Sequence, residues 1–137
     1  MSLRVRFAVI MVLILVLFCL DLVATKFYLY WSFEWLDNLM HVFGGFLAGN
    51  MVLIGRQVVA RKKGEDEISK KSLFFVAILG GLLVGTLWEL IEYLFGVSHL
   101  GPRFVWDTFV DLIMDMVGAA SAYITWIKIP HKPYTTA

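Results

Sequence analysis

The sequence predicts an all-α polytopic membrane protein, with four transmembrane helices in one bundle and both termini on the cytoplasmic side. Three observations carry this. Of 137 residues, 60% are hydrophobic and only 17% charged, where a soluble domain has roughly half and a quarter; the mean hydropathy is +0.78. The apolar residues gather into four runs, each long enough to cross a hydrocarbon layer about 30 Å thick. The basic residues gather on one side of those runs.

The first span is expected over about residues 7–25. Arg4 and Arg6 precede it as they would a secretory leader, but no small-residue cleavage site follows, so it reads as a retained helix. Residues 26–36 then hold Phe27, Tyr28, Tyr30, Trp31, Phe33 and Trp35. Rings of this kind suit the bilayer–water interface, as an aromatic belt or a short in-plane helix. A second span over about 37–55 leads into the strongly hydrophilic loop 56–71, and a third over about 72–95 leads into a short connection. The fourth covers about 105–127, and a tail with Pro130 and Pro133 blocks further helix. The whole reads as a single transmembrane domain over 1–137. The lone Cys19 excludes a disulfide within one chain.

With four spans, the N-terminus, the 56–71 loop and the tail share one side. That side holds Arg4, Arg6, Arg56, Arg61, Lys62, Lys63, Lys70, Lys71, Lys128 and Lys132, ten of the twelve basic residues; Lys26 and Arg103 lie opposite. The positive-inside rule makes the basic side cytoplasmic. No basic patch marks a nucleic-acid partner, and the loop lysines suit anionic lipid head groups.

Acids divide the other way. Glu65, Asp66 and Glu67 sit in the basic loop, but Asp21, Glu34, Asp37, Glu89, Glu92, Asp107, Asp111 and Asp115 fall near the non-cytoplasmic helix ends. The run Trp106–Gly118 sets Asp107, Asp111 and Asp115 on one helical face, each about 6 Å along the axis from the next. Asp37 and His41 (i,i+4) and Glu89 and Glu92 (i,i+3) likewise share faces. Beside these pairs the GxxxG sequences Gly45/Gly49 and Gly81/Gly85, and Gly118 with Ala122, allow close helix approach or self-association into a homo-oligomer. The expected shape is tight at the cytoplasmic half and splayed into an acid-lined cleft at the other.

Carboxylates in hydrocarbon do not stay charged and unpaired. Eight acids face Lys26, Arg103 and one histidine, so protons, a metal cation, a cationic substrate group or a basic partner must balance them. Asp, Glu and His suit a divalent ion such as Zn²⁺, Mn²⁺, Mg²⁺ or Ca²⁺. On this reading Asp37, His41, Glu89, Asp111 and Asp115 are candidate metal ligands, and Glu92 and Asp107 candidate general bases. Arg103 is a candidate counter-ion or anion contact. A bland reading stands beside each: solvated acids at helix ends, or a fastening hydrogen bond between Asp37 and His41.

The order Asp37-x-x-x-His41-x-x-Gly44, Glu89-x-x-Glu92, Arg103, Asp111-x-x-x-Asp115-x-x-Gly118 resembles the VanZ-like superfamily of small bacterial membrane proteins. Asn38, Glu92 and Asp115 stand where that pattern has Lys, Gln and Asn, and the spacing from Arg103 to Asp107 also differs. The resemblance covers the last three spans and implies a multi-pass protein of a bacterial or archaeal cytoplasmic membrane.

Three function classes follow. The first is a metal-dependent, enzyme-like site facing outward, with the lipid bilayer as its setting and a lipid-linked or cell-envelope molecule as substrate; hydrolysis is the reaction expected. The second is a binding or assembly component that captures a cationic ligand or a partner helix. The third is proton or cation translocation, against which stands the absence of charged residues in the cytoplasmic halves of the last three spans.

Overall fold

The computed structural model describes residues 2–65, 68–95 and 104–129. All its regular structure is helical: α1 (Leu3–Lys26), α2 (Leu29–Ser32), α3 (Trp35–Lys63), α4 (Lys70–Phe95) and α5 (Phe104–Lys128). Four of these, α1, α3, α4 and α5, are long and apolar enough to cross a membrane. The short α2 falls in the aromatic segment after the first span, and its rings Tyr28 and Trp31 stack with centroids 5.5 Å apart.

The helices overrun the expected spans, for local reasons. α1 starts at Leu3, with Ser2 as its N-cap accepting from the Val5 amide, so Arg4 and Arg6 are helical. α3 continues past Gly55 to Lys63, taking in half of the expected loop. Hydropathy ends near Gly55, but Arg56–Lys63 contains good helix formers and no breaker. The helix stops where Gly64 turns left-handed at φ 69° and the amides of Gly64 and Glu65 return to Arg61 and Ala60. Arg61, Lys62 and Lys63 in its last turn complement the helix dipole. Glu65 of the loop pairs with Arg56 at 2.6 Å.

The four spans do not pack as equals. α5 lies against both α3 and α4, and α3 and α4 lie against each other, a three-helix unit. α1 flanks it, leaning on α3. Near its start the buried Arg6 reaches α5, where Nη2 donates to the Ile129 carbonyl at 2.8 Å and the guanidinium lies 4.5 Å from the Trp126 ring centroid. A cation over a helix C-terminus and an aromatic face is favourable on both counts. Residue 2 and residue 129 therefore sit at the same end of the bundle. Near its other end α1 is held by Asp21, which accepts from the Tyr30 hydroxyl at 2.7 Å. Between these two attachments, Leu13, Val16, Leu17 and Leu20 and the facing Val42, Phe46 and Ser121 line an apolar groove of about 440 Å³.

Close approach of α3 and α5 is set by two glycines. A Cβ on Gly45 would strike the Asp115 backbone, and one on Gly118 would strike the Val42 carbonyl and Phe46 amide. The partner sequence Gly81/Gly85 on α4 also faces Asp115 and Ala119 of α5. Both GxxxG faces thus pack inside the chain. They also close the bundle directly beside the acids, where a splayed cleft was expected.

Gly118→Ala is expected to destabilise the protein by about 1–3 kcal/mol through overpacking. Gly55→Ala, whose added Cβ meets nothing within 4 Å, is expected to leave stability unchanged or raise it by up to about 1 kcal/mol. Unfolding of the detergent-solubilised variants, followed by circular dichroism, checks both.

Candidate metal centre

His41 projects from α3 one turn beyond Asp37, and its ring is the hub of the site. On one side, Nδ1 lies 3.1 Å from Asp115 Oδ2 of α5. On the other, Nε2 faces three carboxylate oxygens from three helices: Glu89 Oε1 of α4 at 3.6 Å, Asp111 Oδ1 of α5 at 3.9 Å and Asp37 Oδ1 of α3 at 4.0 Å. These separations exceed a hydrogen bond. Nε2 and Glu89 Oε1 are both buried without a hydrogen-bond partner.

Burial grades along the axis. His41, Glu89, Asp111 and Asp115 are only 3–7% exposed, Asp37 is intermediate and Asp107, in the first turn of α5, is exposed. The arrangement is a closed polar core with an acidic rim. Among the described residues, no Lys or Arg pairs with any of these carboxylates; Arg56 of α3 pairs instead with Glu65, just past the end of that helix. Asp37, His41 and Asp111 each offer one ligand atom, all within 4.8 Å of one another, a group that could hold a metal ion.

Of the expected ligands, Asp37, His41 and Asp111 form that group, Glu89 faces Nε2 from α4 beside it, and Asp115 meets the opposite ring nitrogen. The two candidate bases stand apart from the hub. Glu92 accepts from Trp88 Nε1 of its own helix at 2.7 Å, and Asp107 is at the rim. Arg103 lies outside the described residues. Asp21 is an inter-helix partner of Tyr30, and Glu34 is exposed beside α3 without capping it.

One contributor is absent from the residues expected on sequence grounds. Thr108 Oγ1 donates to Glu89 Oε2 at 2.6 Å, which anchors one oxygen and leaves Oε1 turned to His41. The available signal is its spacing, three residues before Asp111 on the acidic face.

Tyr30 samples the rim from outside the spans. Burial first, then the hydrogen bond and charge of Asp21, with Asp37 and Glu92 behind them, push its phenol well above the ordinary value. A group whose folded pKa is raised contributes stability that is full below its unfolded pKa, about 10 for tyrosine, and is lost as pH rises through the folded value. Phenolate absorbance in the near ultraviolet should therefore show one tyrosine titrating late. Tyr30→Phe should remove that component and lessen the loss of stability at alkaline pH.

No curated protein and no solved structure matches the chain. A family model described as "Predicted membrane protein (DUF2238)" matches residues 1–132, nearly the whole length. With its four apolar helices and the acidic core that three of them build, the chain is a member of that membrane-protein family.

Proposed function

We propose that the protein is a membrane-embedded, divalent-metal-dependent enzyme whose site lies toward the non-cytoplasmic end of the bundle and acts on a lipid-linked or cell-envelope substrate. The observation that carries this is His41 Nε2, buried, unpartnered and ringed by carboxylate oxygens at 3.6–4.0 Å. A cation bound about 2 Å from each donor separates neighbouring donors by roughly 3–4 Å, so the spacing suits an ion where direct hydrogen bonds do not form. One imidazole among carboxylates favours a borderline ion such as Zn²⁺ or Mn²⁺ over Mg²⁺ or Ca²⁺.

Asp37, His41, Glu89 and Asp111 are the proposed ligands. Such an ion would polarise a carbonyl or phosphoryl oxygen and lower the pKa of bound water. The chain's own residues do the rest. Thr108 holds Glu89 in place, and Glu92 or Asp107, at the rim, would take a proton from water drawn to the ion. Arg103 serves as a counter-ion or anion contact for the substrate.

The basic side of the bundle supports cytoplasmic termini by the positive-inside rule. The resemblance of residues 37–118 to the VanZ-like pattern supports a place in a bacterial or archaeal cytoplasmic membrane. Translocation finds no such support. Between Asp115 and the far end of the bundle, α3 and α5 are sealed by Gly45, Gly49, Gly118 and Ala119. No charged side chain continues the ladder there until Arg56 on α3 and Lys128 on α5.

Elemental mass spectrometry of the detergent-purified protein should find near-stoichiometric Zn or Mn, lost in His41→Ala and Asp111→Asn. Metal-dependent hydrolysis of lipid-linked phosphates or esters by the parent, absent in both variants, would complete the case. If reconstitution with added ions leaves the parent metal-free, the reading fails, and a co-purifying basic partner would then favour a binding component.

A further inference from the structure

We infer that Asp115 is a positioning residue rather than a metal ligand, holding His41 in the one tautomer that aims a lone pair at the ion. The inference rests on the metal reading above and refines it. A neutral imidazole has one N–H and one lone pair, and the hydrogen bond made by one nitrogen fixes the role of the other. Asp115 Oδ2 lies 3.1 Å from Nδ1. A carboxylate there can only accept, so Nδ1 carries the proton. The reverse tautomer would turn the Nδ1 lone pair onto that carboxylate. Nε2, facing Glu89, Asp111 and Asp37, is left as a donor to a cation.

Asp115 is itself fixed by the backbones around it. A Cβ on Gly85 of α4 would run into its carboxylate, and a Cβ on Gly44 of α3 would lie 3.8 Å from its Oδ1. Its own backbone is pressed against Gly45. The carboxylate therefore occupies a slot between α3 and α4 that Gly85 leaves open, and Asp115 is only 3% exposed. This is the carboxylate–histidine–metal arrangement in which an outer partner orients the ligand and raises its basicity.

A consequence separates this role from simple ligation. Asp115 adds to its charge an effect through the imidazole, so it favours ions that value a nitrogen donor over ions held by oxygen alone. Removing it should lower Zn²⁺ affinity more than Mg²⁺ affinity.

The experiment uses the full chain in detergent, titrated with Zn²⁺ and with Mg²⁺ against a chelating dye. Asp115→Asn and Gly85→Ala should each weaken Zn²⁺ binding by about 10–100-fold, with a clearly smaller loss for Mg²⁺. Gly85→Ala achieves this without altering any charge, by displacing the carboxylate. Should both variants fail to fold, ¹⁵N-histidine NMR of the zinc-loaded parent decides alone. His41, assigned by its loss in His41→Ala, should show a protonated Nδ1 and a metal-bound Nε2. Metal on Nδ1, unchanged Zn²⁺ affinity in both variants, or equal losses for the two ions would overturn the inference while leaving the metal reading in place. A parent that binds no zinc would overturn both.

Discussion

Four carboxylates and one imidazole occupy a space closed on three sides by helices, and their mutual repulsion is the constraint on which the rest of the bundle depends. In hydrocarbon neither solvent nor mobile counter-ions relieve it. The protein answers with one buried hydrogen bond, His41 to Asp115, and with oxygens grouped around the remaining ring nitrogen. The polar groups are drawn from α3, α4 and α5 in turn, so whatever neutralises them also ties those helices together.

Glycine makes this arrangement sterically possible. Lipid supplies little hydrophobic drive between helices, so close backbone contact and van der Waals packing hold them. Gly45 and Gly118 bring α3 and α5 together beside the site, and Gly85 leaves the volume that the Asp115 carboxylate fills. The same residues that permit packing thus shape the polar core, and packing and chemistry cannot be varied independently here.

The fold is largely legible in the sequence because hydropathy and length report a spanning helix directly. Much of the polar core is legible too, since i,i+4 spacing on a helix is enough to put Asp37 beside His41 and Asp111 beside Asp115. The remainder depends on relations between helices. That Asp115 meets Nδ1, that Thr108 anchors Glu89, and that α1 stands on the flank are facts of rotation about helix axes. An apolar helix surrounded by lipid carries little pattern to reveal its rotation. The overrun of α3 to Gly64 is hidden for another reason: hydropathy marks where hydrocarbon ends, whereas capping marks where the helix ends.

The flanking position of α1 has a mechanical meaning. It is fastened near one end by Arg6 and near the other by Asp21, and stands off from α3 over the leucines between. A helix with most of its surface in lipid is the one on which a change of bilayer thickness acts most directly. α1 is an outrigger in its packing, with less of its length buried inside the bundle than any of the three spans that build the polar core.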